Sequence, residues 1–297
     1  MKPKILISGA TGDTGGAATR LLLKKGISVR ALVHKEDERS SKLRDQGAEI
    51  VVAELTDLRA VRPALAGISR AYFIFPIRPD LVQTTAIFAQ AALEAKVEFI
   101  VNMSQRTAGP EPLSDSALHH WLAERVLEWS GTPVTHLRPT IFNEWLLYMR
   151  KGISDGYYRV PFGTTGKFAP ISTEDQGAVI AEILTNPDPH IGQTYLLLGP
   201  TELTPPEIAE TISQTLGKTV RYEQISGTQW VEEIYGPNIP YGNQHIEAIA
   251  RMHALGQMGG TNDVVEKITG QKPQSVAEFV AKHREAFESD KEFQKRG

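Results

Sequence analysis

The sequence predicts an α/β fold: a doubly wound parallel sheet, with a smaller mixed α/β region behind it. Three observations carry that reading. Short apolar runs rich in Ile and Val alternate with helical patterns through the first half of the chain. The first run empties into a glycine-punctuated turn, Gly9-Ala10-Thr11-Gly12-Asp13-Thr14-Gly15. After Arg138-Pro139 the texture changes, with helices dominant and Pro and Gly more frequent. Strands alternating with helices imply parallel pairing and right-handed crossovers, because a parallel partner is reached only by crossing back over the sheet.

Taken in order, strands are expected at 5–8, 29–33, 49–52, 71–75, 99–102 and 134–137, and helices at 15–25, 39–46, 58–65, 81–96 and 116–129. Pro63 falls too deep in the third helix for a first-turn proline and should kink or shorten it. Further on, Thr204-Pro205-Pro206-Glu207 has the capping-box form with prolines where a helix tolerates them, and Ser275-Val276-Ala277-Glu278 repeats the box. Residues 1–142 are expected to form a nucleotide-binding domain to which a later strand and helix can return. Residues 143–297 are then mainly the substrate-binding region. The charged end, 290–297, is expected to fray.

With 297 residues, 41% hydrophobic and 23% charged, the chain can bury a real core and has no disordered or fibrous character. A net charge of −3 argues against a broad face for nucleic acid. There is no cysteine, which excludes disulfides, thiolate metal sites and cysteine nucleophiles. Met1-Lys2-Pro3-Lys4 leads directly into a strand and no apolar run reaches membrane length, so a cytoplasmic protein is the expectation.

Gly9, Gly12 and Gly15 each have a task if a pyrophosphate lies in the turn. One permits the tight bend, one lets backbone approach the phosphates, and one lets the helix pack on the strand. The helix N-terminus then offers N–H groups and a favourable dipole to the anion. A Walker-type loop needs Lys-Ser/Thr after its last glycine, whereas Gly16-Ala17-Ala18 follows here. Gly163-Thr164-Thr165-Gly166-Lys167 is too short for that loop and reads as a hairpin turn. The first motif therefore indicates a Rossmann-type dinucleotide site.

The second strand ends Leu32-Val33-His34-Lys35. An acid there usually holds the ribose hydroxyls of NAD, and a cation the 2′-phosphate of NADP. His34 and Lys35 favour NADP(H), with Lys35 the surer charge. Glu36 and Asp37 follow at once, so NAD(H) stays open, as does the plain reading of four solvated loop charges. Neither a metal nor a flavin is implied.

Chemistry in this architecture lies beyond the carboxyl ends of the strands. The loops there are Phe75-Pro76-Ile77-Arg78 and Met103-Ser104-Gln105-Arg106. No tyrosine is followed four residues later by lysine, so the usual short-chain dehydrogenase acid/base pair is missing. His120 stands in the corresponding helix with Glu124 on the same face, where a carboxylate would orient the imidazole or raise its pKa; a solvated surface pair is the alternative. His119 points elsewhere. Ser104, Gln105, Phe142 and Trp145 are candidate pocket residues, and Tyr148 and Trp230 further aromatic ones that equally suit a core. No Gly-x-Ser-x-Gly elbow supports a serine hydrolase.

The chain resembles an atypical short-chain dehydrogenase of the NmrA-like group, which includes triphenylmethane reductases, azoreductases and type 2 quinone oxidoreductases. The likeness rests on the glycine turn, on Gly47-Ala48-Glu49 leading to Glu54-Leu55-Thr56-Asp57, and on the His120–Glu124 helix followed by Thr135-His136-Leu137-Arg138-Pro139. Ala169-Pro170-Ile171-Ser172-Thr173-Glu174-Asp175 and Thr194-Tyr195-Leu196-Leu197-Leu198-Gly199-Pro200 also match. The resemblance implies NADP(H) and direct hydride transfer to a small quinone-, azo- or dye-like acceptor. It places position 34 near the 2′-phosphate, Glu54-Leu55 beside adenine, Phe75-Pro76 beside the nicotinamide ribose, and His120 in place of the missing lysine. Three residues depart from the family's habit: His34 for Arg, Glu54 for Asp, and Trp145 for Asn. The same group includes redox sensors that bind dinucleotide without turnover, and a homodimer or a regulatory protein partner is compatible with either reading.

Overall fold

The computed structural model describes residues 4–288, so the expected fraying at 290–297 lies outside the described residues. The first half contains β1 (Lys4–Ser8), α1 (Asp13–Lys24), β2 (Ser28–Val33), α2 (Glu38–Asp45), β3 (Glu49–Val52), α3 (Leu58–Leu65), β4 (Arg70–Phe73), α4 (Leu81–Glu94), β5 (Phe99–Met103), α5 (Asp115–Trp129) and β6 (Val134–Pro139). Then follow α6 (Trp145–Tyr148), α7 (Arg150–Ser154), β7 (Tyr157–Val160), α8 (Thr173–Thr185), β8 (Thr194–Leu197), α9 (Pro205–Leu216) and β9 (Arg221–Gln224). The chain ends through α10 (Gly227–Tyr235), α11 (Pro240–Ala254), α12 (Val264–Thr269), α13 (Val276–Lys282) and α14 (Arg284–Glu288).

Seven strands form one parallel sheet in the order β3-β2-β1-β4-β5-β6-β8. The chain winds outward from β1 to β3, returns to set β4 on the other side of β1, and so makes the switch point that defines a doubly wound Rossmann sheet. Alternation along each strand feeds two cores. Ile5 and Ile7 of β1 join Tyr72, Phe99, Val101 and Leu137 on the face covered by α1 and α8. Leu6 joins Ala71, Phe73 and Ile100 on the face of α3, α4 and α5. A third cluster, with Phe162, Phe168, Ile212, Trp230 and Phe279, holds the C-terminal helices and the two-stranded β7-β9 sheet together.

The later elements do not all stay with that third cluster. β8 pairs with β6 and α8 lies against α1. A Cβ on Gly177 of α8 would stand 2.5 Å from the Cβ of Ala17, so only glycine allows the two helices this close. Both expected capping boxes are present, at Thr204 with Glu207 and at Ser275 with Glu278.

Some boundaries move for local reasons. β4 stops at Phe73 rather than at residue 75, because the Ile74 amide leaves the ladder and donates to Ser8 Oγ at 2.8 Å. α4 ends at Glu94, two residues early, and Lys96 takes a left-handed φ of 58°. α3 contains Pro63 and ends at Leu65. The hairpin expected at 163–167 is not one. β7 pairs in parallel with β9, and the segment is a loop laid over α11 so tightly that a Cβ on Gly166 would reach 2.2 Å from the His253 carbonyl oxygen.

Candidate active site

The glycine turn is fixed by backbone geometry. Gly9 has φ of 59°, and its carbonyl accepts the Gly12 amide at 2.9 Å. A Cβ on Gly15 would meet the Gly9 oxygen at 2.4 Å, so the last glycine lets α1 begin hard against the end of β1. The N-cap is Gly12, with no side-chain cap. The first turn of α1 thus presents backbone donors and the positive end of its dipole at the switch point. Ser8 braces the turn by bonding both the amide and the carbonyl of Ile74, and buried Thr14 bonds the Tyr72 hydroxyl at 3.1 Å.

Beside it, the charges after β2 are sorted into pairs. Asp37 caps α2 through the Arg39 and Ser40 amides and binds the Arg39 guanidinium; this side chain and the α2 amides hold its carboxyl below its ordinary range. Glu36 meets Arg44 at 2.6 Å. His34 Nδ1 lies 3.1 Å from Glu54, with His34 exposed and Glu54 half-buried. Lys35 is exposed and has no ionic partner among the described residues. Phe75 is buried and Pro76 exposed at the end of β4.

Across the switch point the site is built from side chains. His120 is only 6% exposed, its Nδ1 lying 2.7 Å from the Ser116 carbonyl and 2.9 Å from the Gln105 amide nitrogen. The carbonyl only accepts and the amide nitrogen only donates, so the two contacts ask for opposite tautomers of the neutral ring and only one of them is a hydrogen bond at a time. Burial above all pushes the His120 pKa down to about 4. The expected solvated surface pair is corrected by this burial, and of the expected partnership only an upward electrostatic pull from Glu124 remains, outweighed by burial. Glu124 is fully buried, and it binds Arg138 of β6 through both oxygens, at 2.8 and 2.5 Å. Burial raises its pKa, but the guanidinium outweighs that and holds the group ionised. The pair locks α5 to the sheet beneath His120.

Helix α11 closes over this nest. His245 Nδ1 lies 3.0 Å from Ser114 Oγ, and Tyr241 OH lies 2.9 Å from His119 Nδ1 with the rings stacked. His245 is 3% exposed, and burial with the neighbouring His120 brings its pKa to about 4 as well. His119 is thus part of a contact between the two regions. Sequence reasoning missed Tyr241 and His245, which lie far along the chain with no motif around them. It also missed the Arg138–Glu124 pair, for which a signal existed: an arginine inside an apolar strand needs a buried acid.

The third side of the site is α6. Tyr148 OH donates to Asp13 Oδ2 at 2.6 Å, reaching from the C-terminal region to the glycine turn. Trp145 packs on Trp230 at 4.8 Å between ring centroids. Phe142, Asn143, Trp145 and Met149 border a void of about 10 Å³, room for one water, and the buried Asn143 amide has no partner among the described residues. Glu144 accepts from the Thr173 amide and hydroxyl at the start of α8. Burial pushes its pKa up to about 7. Ser104 is buried at the end of β5, while Trp230 is core. The glycine turn, Phe75, Gln105 and His120 therefore line one end of the sheet, and Phe142 and Trp145 lie with α6. A cleft of about 500 Å³ lies elsewhere, between Leu113, Ser226, Gln244 and Arg251. Among the described residues no group of three or more His, Asp or Glu could hold a metal, and no helix is long and apolar enough to cross a membrane.

Known proteins are similar to this chain over nearly their whole length. The NAD(P)H azoreductase of Xenophilus azovorans is 30% identical over 289 residues, covering 95% of this chain and 99% of its own. Quinone oxidoreductase 2 of Escherichia coli is 26% identical over 283 residues, covering 93% and 97%. The structure of the triphenylmethane reductase of Citrobacter sp. superposes with a TM-score of 0.81 at 25% identity, covering 96% and 100%. The sequence pattern of the NmrA-like family matches residues 1–287. The chain belongs to the NmrA-like family.

Proposed function

We propose that the protein is an NAD(P)H-dependent oxidoreductase that passes hydride directly to a small quinone-, azo- or dye-like acceptor. The observation that carries this is the uncapped start of α1 at the switch point, in a chain matched end to end by an NAD(P)H azoreductase. The pyrophosphate lies on the first turn of α1, the adenine side by Glu54 and Leu55, and the nicotinamide side by Phe75, Pro76 and His120. The cofactor supplies the hydride, and the protein's work is to hold donor and acceptor in reach and exclude water. NADPH is the preferred form, because Glu36 and Asp37 are already paired and Lys35 is left for a 2′-phosphate. His120, neutral at pH 7, orients cofactor or acceptor as a dipole. Ser104, Gln105, Phe142 and Trp145 border the acceptor.

Purified protein, free of flavin, tests this when NADPH consumption is followed with a panel of quinones and azo dyes. Turnover with at least one acceptor, slower with NADH, is expected; Lys35→Ala should narrow that difference. One observation favours a second reading, a non-catalytic redox sensor: α11 nearly seals His120 from solvent. Tight NADPH binding with no turnover of any acceptor would select it.

A further inference from the structure

An acid in the first turn of α1 is out of place in an anion site. The dipole and amides that would draw a pyrophosphate also draw the Asp13 carboxylate, so the two compete for the same space. The structure gives Asp13 a hydrogen bond from another region of the molecule. Tyr148 OH donates to Oδ2 at 2.6 Å, the short distance of a bond to a charged acceptor. Burial and the Asp13 charge both push the Tyr148 phenol well above its ordinary pKa, so it stays protonated and donates. Its support is firm. Tyr148 ends α6, and Trp145 at the other end of that helix is packed on fully buried Trp230.

We propose that Tyr148 is a positioning residue for the dinucleotide: by drawing the Asp13 carboxylate towards α6, it keeps a like charge out of the mouth of the glycine turn. The inference rests on the dinucleotide reading above. It assigns to α6 a role in cofactor affinity, and it links the filling of the turn to the helix that carries Trp145. The effect falls on the pyrophosphate, which NADPH and NADH share, so it does not discriminate between them.

The test is a set of dissociation constants for NADPH and NADH, read by nicotinamide fluorescence, for the wild type, Tyr148→Phe, Asp13→Asn and the double variant. Tyr148→Phe should weaken both dinucleotides about tenfold, as expected for loss of a hydrogen bond to a charged group. The loss should shrink as salt screens the Asp13 carboxylate from the pyrophosphate. Asp13→Asn in the Tyr148→Phe background should restore binding, which a merely structural role for Tyr148 would not allow. A double variant as weak as Tyr148→Phe alone, or a Tyr148→Phe protein that binds like the wild type, would overturn the proposal and leave the dinucleotide reading intact. A wild-type protein that binds neither dinucleotide overturns both.

Discussion

At the glycine turn the working surface is backbone, set by three glycines and a helix start with no side-chain cap. At His120 it is side chain, with Gln105, Ser116, Ser114, Tyr241 and His245 brought together from α5, α11 and the loop after β5. The first surface is set mainly by β1 and α1, braced from the end of β4 through Ser8 and Thr14. The second exists only when the C-terminal region has docked. The difference separates two kinds of surface: the proposed cofactor side is built from backbone that leaves no room for an added atom, whereas the proposed acceptor side is assembled from side chains far apart in sequence.

The harshest way to probe the first surface is Gly15→Ala. The new Cβ would lie 2.4 Å from the Gly9 carbonyl oxygen, so the backbone must move, and dinucleotide affinity should fall by about a hundredfold or more. A titration that finds normal affinity would show the turn does not hold the cofactor. On the second surface the largest effect belongs to Glu124→Ala, which strands Arg138 beside the sheet. Removing one partner of a buried pair costs about 3–5 kcal/mol, readable in urea unfolding.

The balance between these surfaces was only partly legible in the sequence. The Rossmann half was readable because short apolar runs and one glycine turn are local signals, and the strands fall where they were expected apart from ends such as Ile74, where the Ser8 side chain takes the ladder's bond. His120 was found by position in its helix. Its environment was not, since helical spacing alone put Glu124 beside it while the sheet supplied Arg138, a stronger partner that spacing cannot show. Tyr148, Tyr241 and His245 depend on tertiary docking and leave no pattern along the chain.

Acid should separate the surfaces further. His120 and His245 have folded pKa values lowered to about 4 from 6.5, so their contribution is complete above pH 6.5 and is lost as pH falls towards 4. Each shift is worth about 3 kcal/mol at most. His245→Gln should flatten that acid limb in thermal melts. Because His120 is already neutral, kcat/KM should show no step from it between pH 6 and 8. Glu144 acts in the opposite sense. Its folded pKa is raised from 4.5 to about 7, so its contribution is present below pH 4.5 and is lost as pH rises to 7, and Glu144→Gln should remove that loss. The smallest effect is expected from Tyr241→Phe, which removes one half-buried hydrogen bond to His119. Stability should fall by about 1 kcal/mol, with faster amide exchange confined to α11.

Direct hydride transfer is the central claim, and single-turnover mixing of the NADPH-loaded protein with a quinone or azo acceptor tests it most directly. The account predicts acceptor-dependent loss of NADPH without added flavin, slowed by a primary isotope effect when one of the two C4 hydrogens is replaced by deuterium. NADPH that stays reduced in the bound complex, whatever the acceptor, would contradict it.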